Sequence, residues 1–329
     1  MTRLLTGRIA VMAMSAALTF AAAMADAADT YPMRPPHMIV TFAAGGSSDI
    51  MARTAAKAIG DGLGETVVVE NKPGAGGNVG AEYVAHAAPD GYTMLFGTIG
   101  TMGIGPSLYK HLNYDPLKDL APVGILHELP NVLIVHVSLP VHDLKGLIAY
   151  AKAHPGQLTF ASAGSGTVSH LSGELFKEAA GIDIVHVPYH AGGGSVSTDL
   201  IAGRVSMMLE TVTNAMALVK TGELRALAVT TPERSKALPD LPTFAEAGLP
   251  GFAVSSWTGL FVPAGTPAGI IQRLNTETQR IAHDPAYIEQ MKTIGTDVAA
   301  STPEQFGAFV HAEVKKWGQA IKQAGVTVE

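Results

Sequence analysis

One arrangement of residues occurs twice in this chain and constrains its fold more than any other feature. A β-branched segment, a loop rich in Gly and Ser, a helical segment, a second β-branched segment and a glycine cluster follow in that order. Alternating strand and helix patterns of this kind predict an α/β fold. A chance recurrence of turns that α/β proteins commonly use is the alternative to a true internal repeat.

The loops of the two copies are similar in sequence. Residues 41–48 are TFAAGGSS and residues 159–167 are TFASAGSGT; the later clusters are PGAGG at 73–77 and PYHAGGG at 188–194. Each first loop leads into a helical pattern. We interpret the two copies as two similar lobes that present matching loops to one another.

Hydrophobic periodicity and turn residues predict the individual elements. The predicted strands are 37–42, 66–70, 92–97, 132–137, 158–161, 182–187, 205–209 and 225–229. The predicted helices are 48–60, 78–87, 144–153, 168–180, 195–202, 267–282, 285–294 and 303–324.

Length and composition narrow the class of protein. A chain of 329 residues is long enough for two domains, and its net charge of −6 comes without any basic cluster. Nucleic acids and acidic lipids are therefore poor candidate partners. The chain contains no cysteine, which excludes disulfides, thiolate catalysis and cysteine-ligated zinc.

Residues 1–25 have the features of a cleaved signal peptide. Arg3 and Arg8 precede an apolar stretch, and Ala23-Met24-Ala25 is a small-x-small cleavage site, with Ala25-Asp26-Ala27 as a rival. The stretch of about 15 apolar residues is shorter than the roughly 20 that a membrane span needs. We expect a protein exported to the periplasm and, without a cysteine at the cleavage site, not a lipoprotein.

The glycine loops have the composition of anion-binding loops. A helix begins with unpaired N–H groups and a partial positive charge, and Gly and Ser allow an anion to approach them. The phosphate-binding motif G-x-x-x-x-G-K-[ST] is absent, and residues 164–169 lack the last glycine of the dinucleotide motif. The loops contain no Lys or Arg, although Arg53 and Lys72 lie just outside them. A carboxylate therefore fits better than a triphosphate.

Two polar residues at the starts of the predicted helices have more than one possible role. Asp49 caps the helix or complements its dipole, or it accepts a hydrogen bond from a ligand. His170 is either structural or a donor to a bound anion. Trp257 is expected to pack in the core rather than to contact a ligand.

Signals of catalysis and of metal binding are weak. Ser165 lies between two glycines, but the chain has no G-x-S-x-G, no H-E-x-x-H and no identified base for this serine. His186 and His190 are separated by Pro188 and cannot share a helical face. We expect a protein that is not an enzyme and that holds no metal and no cofactor.

Taken together, the motifs resemble those of the periplasmic solute receptors of tripartite tricarboxylate transporters, the Bug family. The resemblance extends over essentially the whole mature chain. The matching segments are 40–49, 69–78, 89–93, 164–167 with His170, 187–189, 242–248 and 257–267.

The resemblance implies a two-lobe periplasmic-binding-protein fold of type II, in which each lobe is a mixed sheet flanked by helices and the ligand binds in the cleft. Lobe one would comprise residues 28–125 and 250–329, and lobe two residues 126–249. In this family, loop amides and ordered water hold a ligand carboxylate. The implied ligand-binding residues are Phe42, Ala44, Gly45, Gly46, Ser47, Asp49, Thr98, Gly164, Ser165, Gly166, Thr167, His170, Tyr189 and His190.

The chain departs from the family in lobe two, where Tyr189-His190-Ala191 stands for the common Tyr-Lys-Gly and Gly194 for a frequent proline. Ser206 and Glu210-Thr211 occupy a region that often carries Asp. These changes affect the identity of the substrate rather than its class.

The implied function is capture of a small organic acid by a monomeric receptor and its delivery to the large and small permease subunits. An aliphatic dicarboxylate is favoured, because a chain with 6% aromatic residues offers no obvious stacking cage. The alternatives are a sensor protein that presents its ligand to a membrane histidine kinase, and a periplasmic hydrolase using Ser165 or His170.

Overall fold

A computed structural model describes residues 31–189, 193–235 and 238–326 of the chain. The predicted signal peptide and His190 lie outside these ranges. The described strands are β1 His37–Val40, β2 Val68–Asn71, β3 Thr93–Thr98, β4 Leu120–His136, β5 Thr159–Ser162, β6 Val185–Pro188, β7 Met207–Thr211, β8 Leu224–Val229, β9 Ser255–Pro263 and β10 Asp297–Val298.

The described helices flank these strands, and short 3₁₀ (Ala75–Gly77) and π-helical (Gly100–Ile104) segments follow β2 and β3. The α-helices are α1 Ser47–Leu63, α2 Asn78–Ala85, α3 Gly105–Leu108, α4 Leu144–Ala153, α5 Val168–Ala180, α6 Gly193–Ile201, α7 Val212–Val219, α8 Ala268–Ala282, α9 Pro285–Thr293 and α10 Pro303–Ala324. Among the residues described, no helix is both long and apolar enough to span a bilayer.

The strand pairings confirm the internal repeat. β1 pairs in parallel with both β2 and β3, and β5 pairs in parallel with both β6 and β7. In each unit an antiparallel strand lies on the other side of the third strand: β9 lies beside β3, and β4 lies beside β7. The two units therefore share one topology, which a chance recurrence of turns would not produce.

β4 joins the two units. Residues 120–130 of this 17-residue strand pair with β9, and residues 131–136 pair with β7 and β8. The register shifts between Pro122 and Gly124 and between Ile125 and His127. One strand thus contributes hydrogen bonds to the sheets of both lobes, and the described strands form one ten-stranded sheet in the order β2-β1-β3-β9-β4-β7-β5-β6, with β8 and β10 also paired to β4.

Helix α10 packs along the join between the lobes. Phe306, Trp317 and Ile321 belong to a buried cluster that also contains Phe160 and Phe176 of lobe two. At the end of the helix, Gln323 Nε2 donates a hydrogen bond to Glu178 Oε1 on α5 at 2.8 Å. The C-terminal helix is therefore packed against both lobes.

Trp257 lies in the core, as expected from the sequence, with no exposed surface. Its Nε1 donates to Glu313 Oε2 at 3.0 Å, and Trp317 Nε1 donates to the same oxygen at 2.9 Å. Lys316 forms an ion pair with the other oxygen of this buried carboxylate. The partners of Glu313 account for its burial.

The predicted helices are confirmed, and those at 144–153, 168–180 and 303–324 have the predicted bounds. The elements that were not predicted are α3, α7, β9, β10 and residues 120–131 of β4. In β4, Pro122 and Pro130 interrupt the sequence pattern that is typical of a strand, since proline lacks the N–H that a strand residue donates. β9 shows no polar–apolar alternation, because residues 257–263 are all buried.

Candidate functional site

The two repeated loops lie at the carboxyl ends of equivalent strands. β1 ends at Val40 and β5 at Ser162, and the loops lead to the helix caps Gly46 and Thr167. In open α/β sheets ligands bind at the carboxyl ends of the strands, where the helix N-termini also point. The loops are therefore the candidate site.

The lobe-one loop leaves the start of α1 open. Gly46 provides no side-chain cap, and within the described part of the chain the N–H groups of Ser47 and Ser48 make no hydrogen bond. Gly45 has a φ of +83°, which glycine adopts without strain. Phe42, Ala44, Gly45, Gly46 and Ser47 are all exposed.

Asp49 holds this loop in place. Its Oδ2 accepts from Gly45 N at 2.9 Å and from Arg53 Nε at 3.0 Å, while its Oδ1 accepts from Asn71 Nδ2 at 2.8 Å. The same Asn71 amide donates to Phe42 O at 3.0 Å. The hydrogen bond from Arg53 is the main cause that lowers the pKa of Asp49 to about 2. The carboxylate is therefore ionised, and both of its oxygens are engaged within lobe one.

The lobe-two loop has a different cap. Thr167 Oγ1 accepts from His170 N at 3.4 Å and donates to Gly164 O at 2.6 Å. Gly164 and Gly166 have φ values of +131° and +79°. Between them, Ser165 is exposed, and its N–H makes no hydrogen bond to any residue that the structure describes.

His170 is buried beneath this loop. Its Nδ1 accepts from Gly166 N at 3.0 Å, so the ring proton is assigned to Nε2, which lies 3.9 Å from Glu174 Oε1. Burial lowers the pKa of His170 below its usual value. The lone pair of this neutral ring is used by the loop and is not directed at the Ser165 hydroxyl.

His186 also belongs to the candidate site, although it was considered in the sequence analysis only as a possible metal ligand. Its ring stacks on that of His170 with centroids 3.8 Å apart, and its Nε2 lies 2.6 Å from Ser162 Oγ. Burial, followed by the charge of His170, lowers the pKa of His186 to about 4. Its type and spacing in the sequence do not indicate this role, because its contacts with Ser162 and His170 form only in the folded chain.

Thr98 is the last residue of β3, and Tyr189 directly follows β6. Thr98 is buried, and its N–H donates to Thr101 Oγ1 at 3.2 Å. Tyr189 is half-buried, and its hydroxyl donates to Asp199 Oδ2 at 2.8 Å. Burial is the main cause of a raised pKa for Tyr189. Both residues lie at the same carboxyl edge as the loops, because β3 runs parallel to β1 and β6 runs parallel to β5.

The segment after β3 contacts the loop of lobe two. Leu108, on α3, lies so close to Gly166 that a Cβ added there would be 3.0 Å from Leu108 Cδ1. The structure therefore brings the lobe-two loop against an element that belongs to the first repeat.

Solved structures have the same fold over nearly the whole chain. The R. palustris protein Rpa4515, solved with adipate, is 36% identical, with a TM-score of 0.74 over 90% of this chain and 99% of that one. MatC (Rpa3494) from Rhodopseudomonas palustris, with bound malate, is 35% identical, with a TM-score of 0.70 over 88% and 100%. These similarities confirm the expected two-lobe periplasmic-binding-protein fold.

The sequence comparisons agree with the structural ones. Protein BugT of Bordetella pertussis is 37% identical over 303 residues, which cover 92% of this chain and 93% of BugT. The family model described as "Tripartite tricarboxylate transporter family receptor" matches residues 51–326. The resemblance noted in the sequence is confirmed, and the chain belongs to the receptor family of the tripartite tricarboxylate transporters.

Proposed function

We propose that this protein captures a small organic acid by binding its carboxylate between the two loops. The observation that carries the proposal is the pair of matching loops, each of which follows an equivalent strand and leads into a helix N-terminus. The proposed ligand-binding residues are those implied by the family resemblance: Phe42, Ala44 to Ser47, Asp49, Thr98, Gly164 to Thr167, His170, Tyr189 and His190.

The charge of the site favours a carboxylate over a polyphosphate. Each helix N-terminus contributes about half a positive charge. The N–H groups of Ser47, Ser48 and Ser165, which make no hydrogen bond to the described residues, supply hydrogen bonds to the anion. Residues 41–49 and 163–170 contain no Lys or Arg. Relatives solved with adipate and with malate support an aliphatic dicarboxylate as the ligand class.

We also propose the division into lobes, 28–125 with 250–329 and 126–249, and a closing motion between them. The change of pairing partner along β4, between Pro130 and Asn131, supports a crossover close to the first boundary. Closure would bring the two loops together over the carboxylate and remove water from it, which strengthens the hydrogen bonds.

Export and delivery complete the proposal. A signal peptide at residues 1–25 would direct the protein to the periplasm, where it would act as a monomer that passes its ligand to the large and small permease subunits. Transport of the acid in cells that carry the permease genes, lost on deletion of the receptor gene, would distinguish this role from presentation to a histidine kinase.

The binding site is tested by Ser47→Asp, measured by titration calorimetry with adipate and with malate. A carboxylate at this position would face the bound anion, and two like charges about 4 Å apart repel by about 4 kcal/mol at an effective dielectric of 20. We expect affinity to fall by at least about a hundredfold. Folding should persist, since an acidic residue is favourable in the first turn of a helix.

Two control variants define the result. Ser47→Ala should keep affinity within a few-fold, because the backbone N–H and not the hydroxyl binds the anion. Thr276→Asp adds the same charge at an exposed position on α8 and should bind like the wild type. Unchanged affinity in Ser47→Asp would exclude the proposed site, whereas a wild type that binds neither acid would exclude this ligand class.

A further inference from the structure

We propose that His170 and His186 act together as positioning residues that set the lobe-two loop for anion binding. The proposal rests on the function proposed above. Neither imidazole needs to touch the ligand in this role. Instead, each ring fixes one of the two glycines that flank Ser165, whose own N–H makes no hydrogen bond to the described residues.

His170 fixes Gly166. The Gly166 N–H donates to His170 Nδ1 at 3.0 Å, which requires a lone pair on Nδ1 and leaves the proton on Nε2. Gly166 directly precedes Thr167, the N-cap of α5. The orientation of the imidazole ring therefore sets the direction in which the Gly166 N–H points. Without the acceptor, a buried N–H of Gly166 would be left unpaired, which is costly.

His186 fixes Gly164 through Ser162. Ser162 Oγ donates to Gly164 O at 3.1 Å and accepts from Gly164 N at 3.2 Å. Because the hydroxyl proton is used in the first bond, the contact of 2.6 Å with His186 Nε2 is best assigned as a donation from the ring N–H. Ser162 has no exposed surface, so its orientation depends on these contacts alone.

The rings hold one another by stacking. The ring of His186 contacts that of His170, at 3.8 Å, and that of Phe160, at 4.9 Å, with interplanar angles of 14° and 27°. Gly173 on α5 makes room for this stack, because a Cβ there would collide with the ring of Phe160. Movement of either imidazole would therefore disturb the other and the loop above them.

Lobe one contains the same arrangement with different chemistry. Asp49 is the third residue of α1 as His170 is of α5, and it accepts from Gly45 N as His170 accepts from Gly166 N. Asn71, on the strand next to β1, supports Asp49 through a hydrogen bond of 2.8 Å, where His186 supports His170 by stacking. Recurrence of one contact at one helical position in both lobes argues for a role in setting the loops.

The first test follows the Gly166 amide directly and needs no ligand. In protein labelled with ¹⁵N-glycine, we expect the Gly166 N–H to exchange slowly in the wild type and at least about tenfold faster in His170→Phe, which keeps a ring but removes the acceptor. His170→Asn places an oxygen near the position of Nδ1 and should restore protection. Equal exchange in all three proteins would overturn the proposal.

The second test measures adipate affinity. His186→Phe keeps the stack but removes the donor to Ser162, and we expect it to weaken binding by about tenfold or more. His186→Gln, whose amide can still donate, should recover most of the affinity. A folded His186→Gln that binds as weakly as His186→Phe would contradict a positioning role.

Two smaller substitutions test the same proposal even if the histidine variants fail to fold. Ser162→Ala removes the link between His186 and Gly164, whereas Ser172→Ala removes a hydroxyl that is equally buried, lies on α5 and makes no hydrogen bond to the described residues. Affinity should fall only in Ser162→Ala. Equal affinity in the two would overturn the inference, while a wild type that does not bind adipate would overturn the proposed function and leave the exchange test to decide this one.

Discussion

At the third position of α1 the chain places an ionised carboxylate, and at the third position of α5 a neutral imidazole. Asp49 and His170 each accept an N–H from the residue before the helix cap. From the sequence, each residue could have either a structural or a ligand-binding role, because neither residue type nor spacing shows which atoms the side chain contacts. The structure gives both of them partners within their own loop.

A third buried residue, His127, makes stability depend on pH. It has no exposed surface and lies between Thr258 Oγ1, at 2.7 Å, and Tyr287 Oη, at 2.6 Å. Burial lowers the pKa of His127 to about 3, whereas an unfolded chain has the usual value near 6.5. As pH falls below 6.5 the unfolded state takes up a proton that the folded state does not, so stability is lost.

We therefore expect His127 to reduce the free energy of unfolding by about 2 kcal/mol between pH 7.5 and pH 5. Urea unfolding of the wild type and of His127→Gln at both pH values measures this. The variant should be less stable at pH 7.5 but should lose about 2 kcal/mol less on acidification. His170 and His186 contribute in the same direction in both proteins, so an identical loss in the two would contradict the assignment to His127.

Among the elements, β9 shows how packing overrides a local pattern. It lies between β3 and β4, and Gly259 at its centre faces Phe306 of α10. A Cβ on Gly259 would overlap the Phe306 ring, so the strand and the helix fit together only with glycine there. In the sequence this segment lacks polar–apolar alternation and contains a glycine, which is unfavourable within a strand, so β9 was not predicted.

Gly259→Ala should accordingly lower the free energy of unfolding by about 1–3 kcal/mol, the usual cost of overpacking a core. Phe306→Leu should also destabilise, because it removes buried surface, but it makes room for the new methyl group. In urea unfolding of the two single variants and the double variant, the combined loss should be smaller than the sum. Strictly additive losses would show that the two positions are not in contact.

The elements that the sequence predicted well carry their own local signals. α10 begins with a capping box, in which Thr302 Oγ1 accepts from Gln305 N and Gln305 Oε1 accepts from Thr302 N. α4 begins after Asp143, whose carboxylate accepts from Gly146 N at 2.7 Å. Such caps depend on neighbours in sequence, whereas β9 and the stack of His186 on His170 depend on residues that only the fold brings together.

For the molecule as a whole, the fold class and the two loops could be predicted, because both follow from a repeated pattern. The order of strands could not, since β9 follows the second repeat in the chain but pairs with β3 and β4. The pairing of Ser162 with His186 likewise joins two strands that are 24 residues apart. Only the packing of the strands places these groups together.

Lobe closure is a prediction at this scale. In small-angle X-ray scattering, saturating adipate should reduce the radius of gyration of the wild type and leave that of Ser47→Asp unchanged. Bound at 100 times its Kd, adipate should also stabilise the protein by about 2.7 kcal/mol. A radius that does not change while calorimetry shows saturation would mean that binding occurs without closure.

The long strand β4 has one more consequence. The second half of β4, which follows the first repeat in the chain, pairs with β7, and β9, which follows the second repeat, pairs with β3. Each repeat therefore completes its sheet with a strand that follows the other repeat in the chain, an exchange similar to that between two subunits of a domain-swapped dimer. A chain cut in the loop after β4 would yield two fragments with reciprocal gaps, which should fold only when mixed. The intact protein should accordingly melt in a single transition.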